Sequence, residues 1–385
     1  MKKIVMLNST VGIGGVPRVM SIWGNFFIKK GYDVEFVSND NLDPFYKISP
    51  KIKHIKLGLD KFGKKDQLKF LIKMYTFFKN RKNEIFIINK SHFISYIFIL
   101  KKFGLINKSN QFIYFVHGGN SDFKFLYNNY KTQLINNVCS SIIALINNYD
   151  SHNSIDHTGD KDLLEVLKED HGKTYKGKLA DILIPNPWKK IENKILFIPN
   201  PVSFKTSKKI DNNSKIVLAL TSLKKRKGLN YLIKAWSQIA NKHKDWNLKI
   251  VGSGIEEKSL KKLIKSLNIE SIEMIPATKD VLKHYLDASI FINSSVIEGY
   301  GMPILEAMEC GLPVVAFENV GSKFFVENRI TGLIGQNGNI KILGKNISKL
   351  IDNPNLRIEM GKNAITKAEK FYVENLYKIW ETILK

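Results

Sequence analysis

Apolar and polar positions alternate along this chain in two long series. In the first, an apolar run at Ile4–Leu7 leads into a glycine-rich stretch, Asn8–Gly15. A helical pattern then runs from Val16 to Lys30, stops at Gly31, and gives way to a second run at Val34–Ser38. Strand, glycine loop, helix, strand is a βαβ unit, and such units in series predict a parallel sheet. Further strands are predicted at Ile52–Ile55, Ile85–Ile88, Phe112–Val116, Ser141–Leu145 and Ile195–Ile198, with helical patterns between several of them. The segment 147–190 breaks the rhythm: it is polar and carries Asp160-Lys161-Asp162. The tetrapeptide Ile-Pro-Asn-Pro occurs at 184–187 and again at 198–201. Pro199 and Pro201 of the second copy stiffen the exit from a first domain, and Ser207–Asn213 reads as a polar linker.

The second series begins with a strand at Ile216–Leu220 and a basic loop at Lys224–Gly228. The helix Leu229–Asn241 places Leu232, Ile233, Trp236 and Ile239 on one face. Strands follow at Leu248–Val251, Ile272–Ile275, Ser289–Asn293, Pro313–Ala316 and Gly332–Ile334. Helices are predicted at Glu256–Leu267, Val281–Asp287, Pro303–Cys310 and Tyr372–Lys385, the last with Leu376, Ile379, Trp380 and Ile383 on one side. Two doubly wound halves are therefore expected. Residues 1–205 form the first, joined by the terminal helix 372–385, and residues 206–371 form the second. A ligand would sit in a cleft at strand carboxyl ends.

Length and composition agree with two soluble domains: 385 residues, 44% apolar and 25% charged. No apolar stretch approaches the roughly 20 residues of a membrane span, and the N-terminus lacks the apolar core and cleavage site of a signal peptide. Two distant cysteines, Cys139 and Cys310, support neither a disulfide framework nor a metal cluster. The net charge of +25 changes the picture most. Such a field attracts nucleic acid, anionic membrane or phosphorylated ligands, although a composition rich in Lys, Asn and Ile also produces it without function. Lys61–Lys82 concentrates it: eight basic residues stand against Asp66, with Leu68, Phe70, Leu71, Met74, Tyr75, Phe77 and Phe78 interleaved. This is the pattern of a basic amphipathic helix that suits an anionic membrane surface, or equally of a helix packed on a sheet with lysines in water.

The chemistry concentrates in Glu298-Gly299-Tyr300-Gly301-Met302-Pro303-Ile304-Leu305-Glu306-Ala307-Met308-Glu309-Cys310-Gly311-Leu312-Pro313-Val314-Val315-Ala316. Gly299 and Gly301 permit close backbone approach, and Pro303 suits the first position of a helix. The amides of Gly301, Met302 and the first turn, with the helix dipole, then form an anion site suited to phosphate. Glu298 and Glu306 bracket that site. Facing the anion they would repel it; they make sense as acceptors for hydroxyls on either side of a diphosphate, one side a ribose and the other a sugar.

This segment resembles the family 4 retaining glycosyltransferases of GT-B fold, whose Glu-x7-Glu signature it matches over nearly twenty positions. The resemblance implies an α/β chain of two Rossmann-like parallel-sheet domains facing a cleft, with the nucleotide sugar bound mainly by the C-terminal half. It implies that Glu306 holds the ribose hydroxyls and that Glu298 contacts the donor sugar. Gly14 and Gly15, within Gly12-Ile13-Gly14-Gly15-Val16-Pro17-Arg18, resemble the family's N-terminal loop, whose amides approach the donor phosphate or the acceptor. His117, after a strand, stands where relatives carry a catalytic His. Lys227 matches the lysine that neutralises the diphosphate. Ser222 replaces the usual Arg, leaving Lys224, Lys225 or Arg226 to supply that charge. Phe324 stands where relatives often have Glu, Gly252-Ser253-Gly254 matches a Val-Gly-x-Gly turn, and Pro276 falls where relatives wall the base.

The resemblance also implies a reaction. The acceptor hydroxyl attacks on the leaving-group face and the departing phosphate takes its proton, with no metal or other cofactor expected. Asp160-Lys161-Asp162 has an acidic spacing used for metal in a different glycosyltransferase fold, but here lacks the strand context. The expected enzyme is a hexosyltransferase of polysaccharide, lipopolysaccharide or capsule synthesis. It acts in the cytoplasm or at the inner face of the membrane on a glycan or lipid-linked acceptor. An epimerase of the same fold and a basic nucleic-acid-binding protein are the rivals. The first would not share the signature so fully, and the second leaves Glu298 and Glu306 without a purpose and shows no nucleic-acid motif.

Overall fold

The computed structural model describes residues 2–58, 66–90, 92–116, 141–144, 195–208 and 210–384. The chain divides into two compact units. Among the described residues, one holds the strands up to Ser203 and the end of the chain from Val373. The other runs Phe204–Tyr372.

The first unit is built on seven parallel strands, β1 (Lys3–Asn8), β2 (Asp33–Ser38), β3 (Lys53–Lys56), β4 (Glu84–Ile88), β5 (Gln111–Val116), β6 (Ser141–Ala144) and β7 (Ile195–Phe197). They lie in the order β3-β2-β1-β4-β5-β6-β7. Parallel strands covered on both faces need apolar side chains on both, and Ile4, Val5, Met6 and Leu7 are all fully buried. Helix α1 (Gly15–Lys29) turns Val19, Met20, Trp23 and Phe27 to the sheet. The last helix packs on α1 through Trp23–Trp380 and Phe27–Trp380 ring pairs, each 5.4 Å between centroids, and Phe26–Tyr377 at 5.2 Å. Burying side chains of this size contributes roughly 1.5–3 kcal/mol each. That last helix runs Val373–Glu381, shorter than the pattern predicts. Its buried face is Leu376, Tyr377 and Trp380, while Ile379 is half-buried. Helix α2 (Asp66–Phe78) buries Phe70, Met74 and Phe78, and α3 (His92–Lys102) buries Phe93, Ile94, Ile97 and Leu100.

The second unit carries six parallel strands, β8 (Ile216–Leu220), β9 (Asn247–Val251), β10 (Ile272–Ile275), β11 (Ile290–Asn293), β12 (Val314–Phe317) and β13 (Gly332–Gly335), ordered β10-β9-β8-β11-β12-β13. Its helices are α4 (Leu229–Ile239), α5 (Glu257–Ser266), α6 (Val281–Leu286), α7 (Met302–Glu309), α8 (Val320–Phe325), α9 (Ile340–Asp352) and α10 (Pro354–Glu369); the terminal Val373–Glu381 is α11. Leu232, Ile233 and Trp236 of α4 pack with Leu343, Ile347 and Leu350 of α9 in one core. The strand order reverses between β8 and β11, and ligands in such sheets bind at that switch point, beyond the strand carboxyl ends. The loops leaving β8 and β11 are therefore the place to look for a site. They contain Lys224, Arg226, Lys227, Glu298 and Gly301.

Candidate functional site

The β8 loop tightens into a 3-10 turn at Lys225–Lys227 before Gly228. It is sewn to the β11 loop by backbone bonds. The N–H groups of Val296 and Ile297 both donate to the Arg226 carbonyl, at 3.0 and 3.3 Å. The Ser294 hydroxyl donates to the Lys227 carbonyl at 3.0 Å. A Cβ at Gly228 would lie 2.1 Å from the Ser294 carbonyl oxygen, so only glycine lets the loops come this close. This stitching sets Lys227 Nζ 2.5 Å from Glu298 Oε2, with side chains only 9% and 11% exposed. Ser295 Oγ donates to the same oxygen at 3.3 Å. Burial alone would raise the Glu298 carboxyl. The Lys227 ammonium and its hydrogen bond outweigh that, Arg226 and Ser295 add to it, and the group is held below the ordinary glutamate value.

The main chain around Glu298 is fixed from a third side. Gly321, at the start of α8, donates to the Glu298 carbonyl at 3.0 Å. Asn319 caps that helix in a reciprocal box with Ser322 and sends its Nδ2 to the Ser295 carbonyl at 2.7 Å. Asn337 Nδ2 holds the Val296 carbonyl at 2.9 Å. Of these partners the sequence reading contains none; the Asn-x-x-Ser spacing of the capping box was the one available signal.

Three residues beyond Glu298 the chain turns into α7 through Gly301, at φ +93°. Pro303 has no N–H, and Ile304 donates back to the Gly301 carbonyl at 2.9 Å. Among the described residues, the amides left without an acceptor at this end are those of Gly301 and Met302. Two amides are thus open here, fewer than the whole first turn expected from sequence. Glu306 lies one turn further and is fully buried; the Tyr285 hydroxyl donates to its Oε2 at 2.9 Å. It presents its carboxylate to Tyr285 rather than to the surface.

The remaining candidates are placed as follows. Arg226 is half-buried beside Glu298, while Lys224 is exposed at the head of the 3-10 turn. Pro276 is exposed. Its neighbour Ala277 is pinned to the β9 loop by an N–H bond to Ser253 Oγ at 3.0 Å, and Ser253 in turn takes the Leu223 amide at 3.0 Å. Phe324 packs with Tyr300, Phe325 and Phe371 in an aromatic cluster beside the β11 loop. In the first unit, Gly14 and Gly15 open α1, also at a switch point, between β1 and β4. The Gly14 amide reaches the Tyr46 hydroxyl at 3.4 Å, and Gly15 is exposed. His117, Cys139 and Asp160-Lys161-Asp162 lie outside the described residues. Among the described residues no group of three or more His, Cys, Asp or Glu is placed to hold a metal ion.

Lysine, amides and paired carboxylates at the switch point of a doubly wound sheet define a class, and comparison with known proteins gives its family. Residues 203–367 match the model of the glycosyl transferases group 1. The chain is 30% identical over 393 residues to an uncharacterized glycosyltransferase of Haemophilus influenzae, with the whole of both chains covered. It belongs to this glycosyltransferase family. It is also similar to a Staphylococcus aureus poly(ribitol-phosphate) alpha-N-acetylglucosaminyltransferase, 28% identical over 193 residues that span 49% of this chain and 39% of that one. The crystal structure of S. aureus TarM in complex with fondaparinux, alpha-GlcNAc-glycerol and UDP superposes with a TM-score of 0.72 at 16% identity, covering all of both chains. The fold is GT-B: two Rossmann-like parallel-sheet domains.

Proposed function

We propose that this glycosyltransferase moves a hexose from a nucleotide-sugar donor, with retention, to a glycan or lipid-linked acceptor in surface-polymer synthesis. The observation that carries this reading is the buried Lys227–Glu298 pair on the loops leaving the β8–β11 switch point, with the open amides of Gly301 and Met302 following three and four residues after Glu298. A diphosphate accepting from both amides would lie beside Lys227. The developing charge on the leaving phosphate is then met by fixed dipoles and an ammonium, as at an oxyanion site, and no metal is needed. Arg226 is the better placed stand-in for the arginine that Ser222 replaces, being next to Glu298 where Lys224 is exposed.

In this reading Lys227 exchanges part of its contact with Glu298 for phosphate, which frees Glu298 to accept from a sugar hydroxyl. Glu306 takes the ribose hydroxyls once its carboxylate turns from Tyr285, and Pro276 borders the base. Gly14, Gly15 and His117 keep in this reading the roles in donor binding and transfer that the family resemblance gives them. TarM bound to UDP and a GlcNAc-bearing glycerol, and the poly(ribitol-phosphate) activity of the other relative, support a nucleotide-sugar donor and a surface-polymer acceptor. Helix α2 supports a membrane-side location. It exposes Leu68, Ile72 and Tyr75 on one stripe, with Lys69 exposed beside it. No helix among the described residues is long and apolar enough to cross a membrane.

The test is a panel of UDP- and GDP-sugars incubated with the full chain, with and without a bacterial membrane extract as acceptor source. Nucleotide release from one donor that rises with extract, with the anomeric configuration kept in the product, is expected. Binding without any release, or release with epimerised sugar, would overturn the reading.

A further inference from the structure

Among the described residues the chain passes between the two units twice, after Ser203 and after Tyr372. One side chain of the second unit touches both passages. Glu309, the last residue of α7, is 3% exposed. Its Oε1 accepts the backbone N–H of Thr206 at 3.0 Å and the hydroxyl of Tyr372 at 3.3 Å. Lys205 Nζ stands 3.9 Å from the centroid of the Tyr372 ring, closing the same pair of segments from another direction. A buried carboxylate is a costly choice at this position. It sits at the negative end of a helix, burial pushes its carboxyl up, and its Oε2 has no hydrogen-bond partner among the described residues. An apolar side chain would avoid all three costs and would make neither bond. A second route leads from the same helix to the first passage: Glu306 accepts from Tyr285, whose ring lies 6.2 Å from that of Phe204.

We propose that Glu309 is a positioning residue: it clasps the two passages to the carboxyl end of α7, so that phosphate bound at the amino end of that helix is felt at both. The clasp rests on the donor reading above. Helix α7 is a rigid strut of 8 residues. A donor that fixes Gly301 and Met302 therefore also fixes residues 204–206 and 372. Among the described residues Glu309 bonds to neither Lys227 nor Glu298, and its effect on transfer is exerted through the helix and the passages.

Hydrogen–deuterium exchange of the full chain, with UDP and with GDP separately, tests this. In the unaltered protein, one nucleotide is expected to slow exchange both at 301–306 and at 204–208 and 370–373. In Glu309→Ala, nucleotide affinity is expected to stay within about threefold, since no ligand contact is lost. Slowing at 301–306 persists, slowing at both passages disappears, and transfer kcat falls about tenfold with donor KM unchanged. Glu309→Gln restores the passages, because its amide oxygen accepts the same two bonds. Should Glu309→Ala fail to fold, Tyr372→Phe removes one bond and is expected to release 370–373 alone. Passages that stay slowed in these variants, or that do not respond to a bound nucleotide in the unaltered protein, overturn the clasp and leave the donor reading standing. If neither nucleotide binds the unaltered protein, both are overturned.

Discussion

Lys227 and Glu298 show what a sequence yields at the scale of single residues. Each carries an expectation from the family resemblance alone, one toward the diphosphate and the other toward the donor sugar. Their bond to each other was not legible, because they are 71 positions apart and meet only where β8 lies beside β11. The bond has a consequence for stability. Removing one partner of a buried pair strands the other charge, so Lys227→Met is expected to cost about 3–5 kcal/mol in urea unfolding, and Lys227→Met with Glu298→Gln to recover most of it. The pH dependence follows in sign. The Glu298 carboxyl lies below its unfolded value, so the pair's contribution is complete above about pH 4.5 and drains away as pH falls through the folded value. In Glu298→Gln, melting temperature is expected to lose that part of its decline below pH 4.5. Glu306 was legible as a carboxylate next to an anion site, but its burial against Tyr285 was not; Tyr285 comes from α6, twenty-one positions earlier. Glu306→Gln separates two roles, since the amide keeps an acceptor for Tyr285. Loss of a charged hydrogen bond to ribose predicts about 10- to 100-fold weaker nucleotide binding by calorimetry, whereas a purely structural glutamate predicts no change.

Elements were legible where their period was strong. Every strand of the second unit was readable to within one or two residues, because parallel strands buried on both faces are short apolar runs between glycines and prolines. Helices α8 to α10 were not read. Helix α8 has only 6 residues and is defined by its Asn319 cap, and the burial stripe of α10 is made partly of Gly361, Ala364 and Ala368, which carry little hydrophobic signal. The terminal helix was read with one wrong facing residue, since Tyr377 rather than Ile379 lies against α1. Within the basic loop after β8, the three basic residues Lys225–Lys227 hide the period of the 3-10 turn that they form. At the opening of α7, the sequence marks Gly301 as a point of close backbone approach, whereas the structure gives a different reason for glycine, a left-handed φ of +93°. Gly301→Ala places a Cβ in a left-handed conformation, 3.0 Å from Ile304 Cδ1. It is expected to cost about 1–2 kcal/mol in stability and to weaken nucleotide binding by at least as much, about tenfold, measured by unfolding and titration on the same preparation.

At the scale of the whole molecule, the net charge of +25 is a property composition shows at once but cannot locate. The structure gives α2 an exposed apolar stripe of Leu68, Ile72 and Tyr75, while Phe70, Met74 and Phe78 point inward. The inward face is the one the packed-helix alternative requires, and the exposed stripe is the surface on which the membrane alternative is to be tested. Leu68→Asp with Ile72→Asp is expected to reduce co-sedimentation with phosphatidylserine-containing vesicles about tenfold or more, each buried apolar side chain contributing roughly 1.5–3 kcal/mol. Binding of the unaltered chain should also fall with salt. Acceptor recognition is the part least legible in the sequence, because the stretches where it is expected, such as 147–190, have neither a clear period nor a motif.

The claim beneath all of this is that the head of α7 and Lys227 take a nucleotide's phosphates. A crystal structure of the full chain soaked or grown with UDP or GDP decides it. The expected result is a terminal phosphate within hydrogen-bond distance of the Met302 amide, with Lys227 Nζ shared between that phosphate and Glu298. A nucleotide lodged away from the β8 and β11 loops, or the Lys227–Glu298 pair closed and untouched beside a bound nucleotide, would contradict it.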